Sequence, residues 1–256
     1  MFNIFLIVMY AFALLCFVAL YFVPAGYGKM ASNKWGFQFN NKIAWLIMEC
    51  PTVIVTTVFV FLSFYGNLKL EYYMPRLILL SFFMLHYVYR SFIFPFLLRG
   101  KSKMPITIVL MGFLFNAINA SLICWWTFYG SEANFYNYSY FKSAFFIVGA
   151  SLFFLGFVAN IDSDAYIRSL RKKGDDKHYF PHRHLYKYVS SANYFSEIVE
   201  WSGFALLTQN PAALLFLIWT CANLVPRSSA IYKKYKEEFP KEMENARIKR
   251  IFPFIY

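Results

Sequence analysis

Glu49, Arg90, Asp162, Asp164, Glu197 and Glu200 are ionisable residues set within, or at the edges of, long apolar runs. A charge at the bilayer centre costs about 2.5–3.5 kcal/mol even on the lenient insertion scale. Groups placed there face a bundle interior, pair with one another or bind something polar, so together they mark a polar cavity. Glu49, in Trp45-Leu46-Ile47-Met48-Glu49-Cys50-Pro51, has no basic residue close to it on its own helix. Its partner must come from another helix, or it carries a proton and acts as a hydrogen-bond donor. The plainer alternative is a structural hydrogen bond between helices.

Three further sets share helix faces. Tyr87, Arg90 and Phe94 are three or four residues apart. Arg90 also lies near enough to Arg99 to snorkel toward an interface. Asn160, Asp164, Arg168 and Arg171 form one stripe, which reads either as an i,i+4 ion-pair ladder or as part of a ligand site. Asn193, Glu197 and Glu200 form another. Asn, Asp and Glu suit the amide and hydroxyls of a dinucleotide, and arginines suit its phosphates. No GxGxxG or P-loop spacing is present, so helices and loops must hold any nucleotide. His178, His182 and His184 lack a helical pair or a nearby Cys, and no metal is expected.

The elements that position these groups are membrane spans. The chain is 59% hydrophobic and 15% charged over 256 residues, which suits one integral membrane domain. Apolar segments fall at 2–23, 43–65, 76–98, 105–129, 141–166, 190–208 and 211–231. Each is near the ~20 residues of a spanning helix. The first has neither a basic leader nor a small-residue cleavage site and is expected to be retained. Of the 25 Lys and Arg, 21 fall in the 1–2, 3–4 and 5–6 connections and the C-terminal segment. Lys69, Arg76 and Lys142 take the other side, and Arg90 lies inside a span. The bias predicts an all-α seven-helix bundle, N-terminus outside and C-terminus cytoplasmic. With no soluble domain to carry a basic face, the net charge of +12 does not point to nucleic acid. Cys16, Cys50, Cys124 and Cys221 all lie in apolar runs and read as buried hydrophobes.

The ordered motifs resemble steroid 5α-reductases. The N-terminal half carries Gly26-Tyr27-Gly28-Lys29, Glu49-Cys50-Pro51, His86-Tyr87 with Arg90, and Arg99-Gly100. The C-terminal half carries Asn160-x-x-x-Asp164, Arg168-x-x-Arg171-Lys172-x-Gly174, Ala192-Asn193-Tyr194, Glu197-x-x-Glu200-Trp201 and Pro253-Phe254. The resemblance implies NADPH-dependent reduction of the C4–C5 double bond of 3-oxo-Δ4-steroids. By position, Glu49 and Tyr87 would hold the substrate carbonyl, beside Trp45, in a half spanning about 1–130. Asn160, Asp164, Arg168, Arg171, Asn193, Glu197 and Tyr235 would line the cofactor site in a half spanning about 140–256. Tyr27, Lys29, Arg90, Arg99, Lys101 and Arg227 would add to it. Steroid would arrive from lipid and NADPH from the cytoplasm, with no obligate protein partner. The membrane would be the endoplasmic reticulum in a eukaryote and the cytoplasmic membrane in a bacterium.

The chain departs from the family pattern at Met48 (a glutamine in steroid-reducing members), Asp162 (a histidine), Asn223 (an aromatic) and Ser228-Ser229-Ala230-Ile231 (a histidine-rich stretch). These departures bear on substrate choice. Competing functions are a membrane enoyl-CoA or polyprenol reductase, an isoprenylcysteine-methyltransferase-like enzyme, and a non-enzymatic seven-helix receptor or transporter.

Overall fold

The computed structural model describes residues 2–23, 36–66, 68–99, 102–172 and 177–256. Its first helix, α1 (Phe2–Phe22), is apolar on nearly every face and mostly exposed, as a lipid-facing helix should be. A short strand β1 (Gln38–Asn40) leads into α2 (Asn41–Phe64), where the Asn40 side chain accepts from the Lys42 N–H at 2.9 Å. Next comes α3 (Leu70–Val88), which passes through a π turn at Tyr89–Ile93 into the short α4 (Phe94–Leu97). Pro95 supplies the cause: it has no N–H for the Ser91 carbonyl one turn earlier.

Strand β2 (Lys103–Pro105) pairs antiparallel with β1, Phe39 opposite Met104, so α2 and α5 (Ile106–Trp125) start side by side. They also run in the same direction, with Thr56 meeting Cys124 a level beyond Glu49 and Asn116. After α6 (Ala144–Ser169) and α7 (Ala192–Thr208), a two-residue turn with Gln209 in the left-handed region leads into α8 (Pro211–Glu238). Asn210 caps α8, its Oδ1 accepting from the Ala212 N–H at 2.8 Å, and Pro211 opens the helix where its missing N–H costs nothing. A short α9 (Pro240–Ala246) follows.

The tightest pairing is α6 with α7. A Cβ on Gly149 would lie 2.4 Å from the Leu207 backbone nitrogen, and one on Gly156 only 2.3 Å from that of Glu200. A Cβ on Gly203, across the seam, would meet the Phe153 nitrogen at 2.3 Å. Small residues that let backbones touch are the usual way membrane helices associate. At the end of the bundle where α7 turns into α8, Arg76 is fully buried. It donates to the carbonyls of Tyr72, Thr127, Glu132, Ala133 and Tyr136 and to Ser131 Oγ, tying the 127–136 connection to α3.

The protein is therefore a mostly helical membrane protein. Among the described residues, six helices are long and apolar enough to cross a membrane, and α7, with 17 residues, is shorter. Several boundaries differ from the expected ones. The third helix starts at Leu70 rather than 76, and α8 runs to Glu238 rather than 231, through a stretch too charged to read as a span. Among the described residues, the β1–β2 pair and an isolated bridge between Val189 and Lys249 depart from the all-α expectation.

Candidate active site

Glu49 lies on α2 two residues before Pro51. Pro51 cannot donate to the Ile47 carbonyl, which takes the Cys50 thiol instead at 3.7 Å. Glu49 is buried, and Oε2 accepts from Asn116 Nδ2 on α5 at 3.1 Å. The same nitrogen donates to the Met48 carbonyl at 2.7 Å. On the far side of that amide, the Tyr87 hydroxyl of α3 donates to Asn116 Oδ1 at 2.9 Å. Glu49 and Tyr87 thus converge on one point from two helices, joined by a residue from a third.

Arg90, in the π turn, is buried rather than snorkelling. Its guanidinium lies over the rings of Trp45 (4.6 Å) and Phe94 (4.3 Å), and Nη1 donates to Asp164 Oδ2 at 3.2 Å. Glu49 and Glu197 face the same cation electrostatically. Arg90 therefore stands between the Glu49 side of the bundle and the α6–α7 side.

The other Asp164 oxygen accepts from Asn193 Nδ2 at 3.1 Å, and Asn160 Nδ2 donates to the Asn193 carbonyl at 2.8 Å. The two polar stripes zip α6 to α7 above the glycine seam. The ladder reading fails for Asp164, which pairs with Arg90 and Asn193; Arg168 lies instead over Phe94, at 5.6 Å. The Tyr186 hydroxyl donates to Asn193 Oδ1 at 3.4 Å. Burial, then the nearby Asp164 charge, raises the Tyr186 pKa well above the usual tyrosine value and keeps that donor protonated. Deeper in, His86 Nδ1 meets Glu200 Oε1 at 2.7 Å; both residues are buried, and the His86 ring packs on Trp201.

A family model described as 3-oxo-5-alpha-steroid 4-dehydrogenase matches residues 102–256. Steroid 5-alpha-reductase DET2 of Gossypium hirsutum is 33% identical over 265 residues, covering 100% of this chain and 98% of the relative. The DET2 protein of Solanum lycopersicum is 35% identical, covering 100% and 96%. 3-Oxo-5-alpha-steroid 4-dehydrogenase 1 of Bos taurus is 33% identical, covering 90% and 88%. The chain belongs to the steroid 5α-reductase family. It is an oxidoreductase.

Within this steroid 5α-reductase-type bundle, the remaining expected site residues fall in a second tier. Arg99 Nη1 donates to the main-chain carbonyl of Arg171 at 3.1 Å. Arg227 Nε donates to the Tyr194 hydroxyl at 2.8 Å. Tyr235 is buried between Phe180 and Phe239, with Arg171 close enough to act on it electrostatically. Tyr27, Lys29 and Lys101 lie outside the described residues. Asp162, at the family's histidine position, points outward to His184 at 2.6 Å.

Two residues of the constellation, Asn116 and Tyr186, were not among the expected ones. Asn116 left a signal, a polar residue in the apolar run Phe113–Ala120, but it shares that signal with Asn119. The donor set also suits a nicotinamide dinucleotide. Among the described residues, Arg168 Nη1 and Ser163 Oγ are buried without a hydrogen-bond partner, on the same helix as Asp164, which Asn193 bonds.

Proposed function

We propose that this protein reduces the C4–C5 double bond of 3-oxo-Δ4-steroids, of the testosterone or progesterone kind, to 5α-dihydrosteroids with NADPH. The observation that carries the proposal is the convergence of the Tyr87 hydroxyl and the Glu49 carboxyl on Asn116, with Arg90 linking that point to Asp164. NADPH, when bound, would be the source of the hydride that adds to the β-carbon of the enone. Asn160, Asp164, Asn193 and Glu197 would hold its amide and ribose groups, with Arg168, Arg171 and Arg99 on its phosphates and Tyr235 and Arg227 behind them.

The protein's own part is electrostatic. As the β-carbon is attacked, negative charge develops on the ketone oxygen. Tyr87, buried and backed by Glu49, donates to that oxygen where water is scarce, and hydrogen bonds aimed at developing charge are strongest there. Trp45, held against Arg90, forms an apolar wall for the sterol body. The resulting enolate then takes a proton from water at the α-carbon. Seven membrane crossings, with the basic face toward the cytoplasm, let NADPH enter from the aqueous side and steroid from the lipid.

Purified protein in lipid, given NADPH and progesterone or testosterone, should oxidise the cofactor and yield a 5α-reduced product identified by mass spectrometry. Inertness toward a panel of such steroids, together with turnover of an enoyl-CoA, would replace this reading with the thioester one.

A further inference from the structure

We infer that Asn116 is a positioning residue for the Tyr87–Glu49 pair, holding the tyrosine proton at rest and fixing the direction of the Glu49 carboxyl. The inference rests on the reaction proposed above. Three bonds from one buried side chain carry it. Oδ1 accepts from Tyr87, while Nδ2 donates both to Glu49 Oε2 and to the Met48 carbonyl. The amide hydrogens and the carbonyl are all engaged, and the Met48 carbonyl belongs to a helix backbone that cannot swing. The amide plane is therefore set by α2, and α2 in turn sets where Tyr87 and Glu49 point.

A carboxamide is suited to this place because it accepts on one side and donates on the other. Aspartate would accept on both sides and press one carboxylate against another. Leucine would fill the volume and bond to neither partner. Asn119, three residues on, provides an internal comparison. Its Nδ2 turns back to the Phe115 carbonyl of its own helix at 2.7 Å.

The register of α5 on α2 makes the difference. Gly112, one turn before Asn116, has Met48 packed against it, and a Cβ there would lie 2.3 Å from Met48 Cγ and 2.5 Å from Sδ. That missing Cβ seats α5 at the level of Glu49.

Tyr87 has a single hydroxyl proton, and at rest it is directed at Asn116. A ketone must take that proton, so Asn116 Oδ1 competes with the substrate before the reaction begins. Asn116 therefore weakens ground-state binding slightly while it keeps Tyr87 and Glu49 in the geometry the transition state needs. A merely structural residue does not produce that split between kcat and KM.

The test uses the full chain in lipid, with progesterone and NADPH, comparing wild type, Asn116→Ala, Asn116→Asp, Tyr87→Phe and the Tyr87→Phe/Asn116→Ala double variant. Misplacement of a reacting group by about 1 Å costs on the order of 10²-fold. Asn116→Ala and Asn116→Asp should each lose about that much kcat, with KM for steroid unchanged or lower and NADPH affinity unchanged. The double variant should be little slower than Tyr87→Phe alone, because Asn116, and the Glu49 it orients to back Tyr87, both act through the hydroxyl already lost. The near-isosteric Asn116→Asp serves if Asn116→Ala fails to fold. Wild-type kcat in a folded Asn116 variant, or fully additive losses in the double variant, would overturn the inference while the reaction itself stood. A wild-type chain that reduces no 3-oxo-Δ4-steroid would remove the reaction and this inference together.

Discussion

Tyr87 and Glu49 lie where no described cofactor-side residue bonds them directly; Asn116 holds both, and Arg90 acts on Glu49 only through space. Their loss should therefore fall on the chemical step. Tyr87→Phe and Glu49→Gln are each expected to lower turnover by about 10²–10⁴-fold, the range general-acid assistance supplies. NADPH affinity, followed by fluorescence, should persist; its loss would move both residues to the cofactor side. Arg171→Ala should do the reverse, weakening NADPH while saturating cofactor restores most of kcat. An unchanged cofactor affinity would refute its place on the phosphates. Sequence alone picks out Glu49, Asp164 and Glu197 because charge in an apolar run is costly and visible. Asn116 escapes for the opposite reason. A neutral amide is cheap enough to occur anywhere in such a helix, and only the packing of α5 on α2 separates it from Asn119, which bonds within its own helix.

Helices rather than single side chains fix the distance between the two stripes. Gly156 lets the α6 backbone rest on the backbone of Glu200, one turn beyond Glu197, and Gly203 does the same for Phe153 from the other side. A methyl group at Gly156 would meet atoms of the α7 main chain, which cannot rotate away. Gly156→Ala is thus expected to destabilise by about 1–3 kcal/mol, as overpacking does, and to weaken NADPH by shifting Glu197 and Asn193 away from Asp164. Thermal unfolding in detergent and cofactor titration measure the two effects. A variant with wild-type melting and affinity would show that the seam tolerates separation. The helices themselves were legible from runs of apolar residues, but this seam was not. Glycines in a hydrophobic span look like any other small residues until the partner helix is known. The π turn at Tyr89–Ile93 was hidden as well, although its cause, Pro95, is in plain view. Proline announces a disturbed helix without saying whether the helix bends, stops or widens.

The direction of the outer helices decides how many times the chain crosses. α1 and α8 lie together and run the same way: the Tyr10 hydroxyl donates to the Pro211 carbonyl at 2.8 Å, Phe12 packs on Trp219, and Tyr21 reaches Tyr256 at 3.2 Å. Two parallel helices at the start and end of an up-and-down bundle fit the seven crossings proposed above. The doubtful member is α7, whose 17 residues span roughly 25 Å against a hydrocarbon core of about 30 Å. It does not need to match the lipid, because α3, α6 and α8 pack around it and Glu200, Trp201 and Phe204 are buried. The charge bias supports the proposed orientation. Of the three cations on the minority side, Arg76 is buried among carbonyls, leaving Lys69 and Lys142 exposed there. In sealed vesicles with the cytoplasmic face outward, protease should remove a C-terminal tag and spare an N-terminal one. Removal of both tags would mean an even number of crossings and break the parallel α1–α8 arrangement. Removal of the N-terminal tag alone would keep seven crossings but turn the basic face, and with it the NADPH entrance, away from the cytoplasm.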